Sequence, residues 1–143
     1  MPITEDRNTK TREGKYVNLA MAASTKIYAG QLVAVNAQGY AVPASDTAGL
    51  KVIGIADVAM DNSAGAAGDL NVVVHRAICK LANAATNPVV QANIGSVVLV
   101  ADDVSVTGTS TNSVVAGIAL EMEEDGVWVD TSYSSAISLS ETK

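Results

Sequence analysis

The feature that most constrains the fold of this 143-residue chain is a series of short apolar runs, each ending at turn-forming residues. The runs are rich in β-branched residues or alternate apolar with polar residues, which is typical of strands. Several short strands at this spacing predict a small, mainly β domain, either a β-barrel or a β-sandwich. The eight predicted strands are residues 16–21, 31–36, 40–43, 52–60, 70–82, 96–102, 114–123 and 127–131.

Composition favours the same fold class. The chain has 23 Ala and 20 Val, against eight Leu, eight Ile and no Phe. Valine packs well on pleated surfaces, whereas long helices usually carry more Leu, Glu and Lys. One segment has helix signals, with Asn87 as N-cap, Pro88 in the first turn and Gly95 at the end. We therefore expect at most one or two short helices.

Turn chemistry predicts how neighbouring strands connect. Residues 37–39 and 124–126 each contain a glycine between two apolar runs and predict tight hairpins. The long run 70–82 loses its apolar alternation at Arg76 and Ala77, so we expect the strand to bend or change sheets there.

Two segments of the chain share a short motif. Residues 52–60 and 115–122 share the sequence Gly-Ile-Ala, which is followed in both by a methionine. The match is short, and small residues recur wherever strands approach closely. The sequence therefore favours close approach over an internal repeat.

The first fifteen residues differ from the rest of the chain. They carry seven charged side chains, one proline and little apolar periodicity, so we expect them to stay outside the core. The predicted organisation is an extended N-terminal arm (1–14), a β-rich domain (15–131) and a Ser-rich C-terminal tail (132–143).

Charge and cysteine content exclude several classes of protein. Residues 1–80 carry eight basic and seven acidic side chains, and residues 81–143 carry one and eight, so the net charge of −6 resides in the second part. Nucleic-acid binding needs a basic face, so it is not expected. The single Cys79 excludes an internal disulfide. With no long apolar run and no signal-peptide pattern, we expect a soluble chain made in the cytoplasm, without membrane contact.

Residues that could carry catalysis are sparse. His75 and Cys79 would share one strand face about 13 Å apart, which is too far for proton transfer. No Gly-x-Ser-x-Gly motif is present, and the glycine-rich segment 65–68 lacks the lysine of a phosphate-binding loop. The sequence therefore predicts no enzyme, no cofactor and no small-molecule substrate.

Acidic side chains cluster twice, without the spacing of a metal site. One cluster comprises Glu121, Glu123, Glu124 and Asp125, and the other surrounds residues 57–69. Neither matches a calcium-loop pattern, so solvated strand edges and turns are the favoured interpretation, and we expect no metal. The lone Trp128 lies between two valines, which favours a core or interface role over ligand stacking.

The order of several Gly, Asn and apolar motifs over about residues 15–131 resembles the capsid cement or decoration proteins of tailed phages. These motifs are Tyr28-Ala-Gly-Gln-Leu-Val, Ala37-Gln-Gly-Tyr, Val52-Ile-Gly-Ile-Ala-Asp, Asp61-Asn-Ser-Ala-Gly-Ala-Ala-Gly-Asp, Val72-Val-Val-His-Arg-Ala-Ile-Cys-Lys-Leu-Ala-Asn, Asn93-Ile-Gly-Ser-Val-Val-Leu-Val-Ala-Asp-Asp, Ala116-Gly-Ile-Ala and Gly126-Val-Trp-Val-Asp. Two positions depart from the family pattern: His75 stands where a second arginine is more usual, and Cys79 where an aromatic residue is.

The resemblance implies a structural protein of the virion. Such a protein binds the outer surface of the expanded head, commonly as a homotrimer, and reinforces it against the pressure of packaged DNA. The implied partner is the major capsid protein. We expect the arm to contact it through Arg7, Lys10, Arg12 and Lys15, and we expect further interface residues at Tyr28, Arg76 and Trp128.

Two other functions stay open at this stage. A surface-displayed β-sandwich that binds a receptor or a glycan is compatible with the fold class, although aromatic residues are few. A metal-assisted hydrolase using Glu121, Glu123 or Asp125 would need a ligand geometry that the sequence does not offer.

Overall fold

The computed structural model describes residues 2, 4–10 and 14–132, and the regular secondary structure within these is almost entirely β-strand. Arg12 and tail residues 133–143 lie outside the described residues. The prediction of a mainly β fold is confirmed. The strands are β1 (Tyr16–Ala20), β2 (Thr25–Ile27), β3 (Leu32–Val35), β4 (Ala41–Pro43), β5 (Lys51–Ala56), β6 (Met60–Asn62), β7 (Asn71–His75), β8 (Ile78–Asn83), β9 (Val97–Val100), β10 (Ser105–Thr107), β11 (Val115–Glu123) and β12 (Gly126–Asp130).

The strands form one sheet, one barrel and one ribbon. The sheet has the order β1-β7-β5-β3-β4, and the closed barrel has the order β10-β8-β12-β11-β9. Strands β2 and β6 pair as a two-stranded antiparallel ribbon. The barrel closes through the parallel pair β8–β10, and a single parallel bridge between Met21 and Ala41 joins the two ends of the sheet.

The sheet and the barrel are two copies of one topology. We call residues 15–76 the first half and residues 77–132 the second half. Strands β1, β3, β4, β5 and β7 of the first half correspond, in chain order and in spatial order, to β8, β9, β10, β11 and β12 of the second. The ribbon β2–β6 is an addition to the first half.

The correspondence extends to the pairing register. Leu19 pairs with Val72 in the first half as Leu81 pairs with Val127 in the second. Because a slip of one residue would turn every side chain to the other face, this agreement places equivalent residues on equivalent faces. Five further pairs of the first half have a counterpart in the second. Tyr16–His75 corresponds to Ile78–Asp130, Ile55–His75 to Ile118–Asp130, Leu32–Ile55 to Val97–Ile118, Ala34–Val42 to Leu99–Thr107, and Met21–Ala41 to Asn83–Val106.

The Gly-Ile-Ala segments occupy the same place in both halves. A Cβ on Gly54 would lie 2.4 Å from the His75 carbonyl oxygen, and one on Gly117 would lie 2.2 Å from the Asp130 carbonyl oxygen. The residue before each glycine is an extra residue in the ladder with β3 or β9, which is a β-bulge. Close approach is therefore confirmed, but the preference against a repeat is wrong, because both segments are the same element of a duplicated unit.

The core consists of two buried clusters. One fills the first half, and the other fills the barrel and extends into the first half through Leu32, Ala34 and Val52. Since the second cluster draws on both halves, the two copies pack together through a common core. The first cluster contains Met21, Ile27, Val33, Ala41, Ala56, Val72 and Val74.

The strand predictions needed three corrections. The run 52–60 divides into β5 and β6, and the two three-residue strands β2 and β10 were not predicted. Three residues are too few to show alternation, so only pairing reveals such strands. By contrast, the predicted change of sheet in the run 70–82 is confirmed, because the run divides between His75 of β7 and Ile78 of β8.

The predicted helical segment is shorter than its signals indicate. Only Gln91–Asn93 form a single 3-10 turn, which follows Val90. Asn87 has a φ of 52° and is not an N-cap, and its carbonyl accepts hydrogen bonds from Gly108 N and Thr107 Oγ1. Tertiary contacts therefore hold this segment as a loop.

Candidate functional site at the root of the arm

The crossover from the first half to the second forms the root of the N-terminal arm. At this point Arg76 N donates to Lys15 O over 2.7 Å, and Thr131 N donates to Ala77 O over 3.1 Å. The two bonds are equivalent in the duplicated topology. The start of β1, the end of β7, the start of β8 and the end of β12 therefore meet here. We call Tyr16, His75, Arg76 and Ile78 the arm-root surface.

Two apolar residues of this surface are exposed at equivalent positions. Tyr16 is 49% exposed and Ile78 is 56% exposed, and each is the first residue of its strand. The Tyr16 ring stacks on the half-buried His75 ring, with centroids 4.5 Å apart and planes 13° apart. Neither Tyr16 nor Ile78 was predicted from the sequence, because each sits at the polar boundary of its run.

The side chain of Arg76 has an internal role. Its Nη2 donates to the Ser132 carbonyl oxygen, and so it ties the end of the described chain to the crossover. Thr131 Oγ1 donates to Ala77 O over 2.9 Å and accepts from Ala77 N over 3.2 Å. The predicted interface residue Arg76 therefore lies on the arm-root surface, with its guanidinium already engaged.

The described arm residues that precede this surface in the chain are exposed. Arg7, Lys10 and Lys15 are exposed, and the hydrogen bond that the described arm residues form, Thr9 N to Arg7 O at 3.0 Å, lies within the arm. The predicted contact residue Arg12 is outside the described residues. The described basic side chains of the arm are thus open to a partner.

Tyr28 belongs to a different element. It follows β2 at the end of the ribbon, is 55% exposed, and has Lys26 Nζ 4.9 Å from its ring centroid. This distance is within the range of a cation–π contact. The sequence prediction therefore grouped Tyr28 with residues that the fold places on another element.

Trp128 lies on the outer face of the barrel, half-buried beside acidic residues. Its Nε1 donates to Glu123 Oε1, and Lys80 Nζ lies 3.0 Å from the Asp125 carboxylate and 4.0 Å from Glu123 Oε1. The hydrogen bond from Lys80 lowers the pKa of Asp125, and Asp125 in turn raises the pKa of Lys80. In residues 14–132 and the described arm, no three His, Cys, Asp or Glu side chains are grouped to hold a metal ion.

His75 and Cys79 do not share a strand face as predicted. His75 ends β7 in the sheet, and Cys79 lies in β8 of the barrel. The Cys79 side chain packs against the barrel core, and burial raises the pKa of its thiol to about 11. The change of sheet at Arg76 and Ala77 is the reason for this correction.

A groove of about 540 Å³ lies on the second half, beside a loop of the first. It is lined by the loop 84–87, the start of β10 and the loop 109–111, with Asp46 and Asp102 at its margin. Asp46 accepts hydrogen bonds from the amides of Thr111 and Asn112, at 3.1 and 2.9 Å, so this carboxylate is engaged in joining the halves.

No described helix is long and apolar enough to cross a membrane. Comparison with protein-family models, curated proteins and solved structures found no match to this chain.

Proposed function

We propose that this protein is a capsid decoration protein that binds the outer surface of an expanded phage head and stabilises it against internal DNA pressure. The observation that carries the proposal is the exposed, highly charged arm, in which Arg7 and Lys10 stand among acidic residues, and which is rooted beside the exposed apolar residues Tyr16 and Ile78. The resemblance of the motif order to tailed-phage cement proteins supports it. In this proposal the partner is the major capsid protein, the assembly is a homotrimer, and the place of action is the virion.

The proposed mechanism is a clamp. The arm orders on the major capsid protein, where Arg7, Lys10 and Lys15 meet acidic groups and the arm backbone adds a strand to an exposed edge. Ordering the arm costs conformational entropy, but contacts repeated over a lattice give avidity without strong individual contacts. The rigid body then covers the shell surface and limits its deformation.

The test is co-sedimentation of the purified protein with expanded, undecorated heads and with unexpanded precursor shells. We expect saturable binding to expanded heads only. A variant lacking residues 1–14 should keep the wild-type unfolding midpoint, because the described arm residues are exposed and hydrogen-bond only among themselves. It should lose at least about tenfold in affinity for heads, since about 1.4 kcal/mol of binding free energy is a factor of ten.

Unchanged binding of the truncated chain would refute the role of the arm. Absence of binding to either kind of shell would refute the decoration function itself. The groove beside Asp102 would then favour the second candidate, a displayed module for hydroxyl-rich ligands, because threonine, serine and asparagine side chains contribute much of its lining. Retention on a glycan array would support that alternative.

A further inference from the structure

Within the chain, a loop of the second half covers part of the first half, but the equivalent loop of the first half does not cover the second half. In the first half, Leu32, Ala34 and Val52 are fully buried on the face turned toward the second half. The loop 102–104 of the second half covers the start of β3. Leu32 N donates to Asp103 O over 2.8 Å, and Gln31 Nε2 donates to Asp103 Oδ2 over 2.5 Å.

The equivalent face of the second half lacks this cover along β9. By register, Val97 and Leu99 correspond to Leu32 and Ala34, but they are half-buried where Leu32 and Ala34 are fully buried. Ile118 is half-buried like its counterpart Ile55, and Val115, the counterpart of Val52, is fully buried. We call Val97, Leu99 and Ile118 the aliphatic stripe. These three side chains are half-buried and pack into neither of the two buried clusters of the described chain.

The loop that would cover the stripe is also free. The loop 37–39 of the first half corresponds to the loop 102–104, and the same hydrogen bond closes both. Asn36 N donates to Tyr40 O over 2.9 Å, and Ala101 N donates to Ser105 O over 3.0 Å. Residues 37–39 are exposed, and Gln38 N bonds only locally, to Asn36 Oδ1 at 3.0 Å.

A contact between two equivalent units can be returned, when each unit covers the other, or passed on, when the second unit covers a further molecule. If it were returned, loop 37–39 would cover the aliphatic stripe of its own chain, as in a closed two-fold pair. Asp103 is half-buried and accepts hydrogen bonds from Leu32 N and Gln31 Nε2, whereas its counterpart Gln38 is exposed and bonds only to Asn36, so the contact is not returned. The same contact can then be completed only between molecules, where unpaired surfaces of this kind produce head-to-tail rings or filaments.

We infer that a second copy of this chain docks its loop 37–39 on the aliphatic stripe, in the manner in which loop 102–104 docks on Leu32 within one chain. Gln38 of the arriving copy takes the place of Asp103, beside Ser96 and Val97, which take the places of Gln31 and Leu32. The inference rests on the proposed function only for the closure of the ring at three copies. The docking contact itself follows from the repeat.

The test is disulfide trapping in the full-length protein without any shell. The double variant Q38C/S96C exchanges two exposed residues, and under mild oxidation it should form covalent species of two and three chains. The variants Gln38→Cys and Ser96→Cys, mixed as singles, should give a mixed dimer. The native Cys79 packs against the barrel core and burial raises its thiol pKa to about 11, so it should react slowly, and the wild-type protein oxidised in parallel measures any contribution from it.

The matched control is the variant Q31C/D103C, which places cysteines at the equivalent contact inside one chain. It should close a disulfide without any change in mass. A second variant, Val97→Asp, should raise the concentration needed for self-association at least tenfold in light scattering, and circular dichroism at the working temperature checks that the variant stays folded.

If Q38C/S96C stays monomeric under oxidation while Q31C/D103C closes, the inference is wrong. Because this test contains no heads, its failure is distinct from a failure of shell binding. Cross-linked species that also form from Gln38→Cys alone would indicate random collision and would equally overturn the head-to-tail contact.

Discussion

The two halves share a topology but differ in closure. In the second half two parallel pairs, Ala82–Ser105 and Asn83–Val106, close the barrel. In the first half only the bridge Met21–Ala41 joins the equivalent strands, and the ribbon β2–β6 is inserted nearby. Both halves keep the same register and the same bulge before the close-approach glycine, but two parallel pairs join the outer strands of one half and a single bridge joins those of the other.

The halves also differ in what covers them. Leu32 and Ala34 of β3 are fully buried beneath the second half, whereas their counterparts Val97 and Leu99 on β9 are half-buried. Equivalent backbones therefore carry unequal surfaces. The surface on β3 packs inside the fold, and the surface on β9 is the one that we propose for docking of a second copy.

The largest loss of stability is expected when a methyl group is added at the equivalent glycines. Gly54→Ala and Gly117→Ala should each lower the free energy of unfolding by about 3 kcal/mol, because the new Cβ meets a carbonyl oxygen of the adjacent strand. Urea unfolding measures the loss. Gly14→Ala, whose Cβ meets nothing within 4 Å, is the control and should change stability by less than about 0.5 kcal/mol.

A second test uses the buried thiol of the second half, which has Val17 as its counterpart in the first. The folded pKa of Cys79 is about 11, above its ordinary value of 9.0, because burial disfavours the thiolate. The stability that the protonated Cys79 thiol contributes is complete below pH 9 and is lost as the pH rises through 11. We expect a loss of roughly 2 to 3 kcal/mol, at about 1.4 kcal/mol per pKa unit.

The variant Cys79→Val makes the second half resemble the first at this position. Its unfolding free energy should fall less than that of the wild type between pH 9 and pH 11 when urea titrations are compared at each pH. Identical pH profiles for the two proteins would contradict the assignment of this effect to the thiol.

The smallest loss of stability is expected from truncating one buried valine in each half, and it tests whether the halves unfold together. Val74→Ala and Val129→Ala truncate equivalent, fully buried residues, and each should cost about 2 kcal/mol. Because the barrel cluster includes Leu32, Ala34 and Val52, we expect one transition shifted equally by both changes. Two calorimetric transitions, each moved by only one variant, would show that the halves are independent.

Much of the fold was predictable because it is encoded locally. Alternation of apolar residues located most of the strands, and the glycine turns at 37–39 and 124–126 located both hairpins. The repeat was not predictable, because only inward-facing volume and the close-approach glycines are constrained. Outward positions such as Asn18 and Lys80, or His75 and Asp130, differ freely between the halves.

The candidate site was predicted only in part. The sequence indicated the arm, Lys15 and Arg76, which the fold brings together at the crossover. It missed Tyr16 and Ile78, since exposure at a strand end depends on what packs there. It also grouped Tyr28 and Trp128 with the arm and Arg76, although Tyr28 lies beside the ribbon and Trp128 lies on the barrel.

By itself, the sequence determined the β character, the turns, the charged arm and the absence of an internal disulfide, because composition and local patterning carry these properties. Only the tertiary structure decided which strands pair, that the halves are equivalent, and which aliphatic face is left half-covered. Those properties depend on contacts between residues distant in the chain, and local sequence does not specify the partner of a strand.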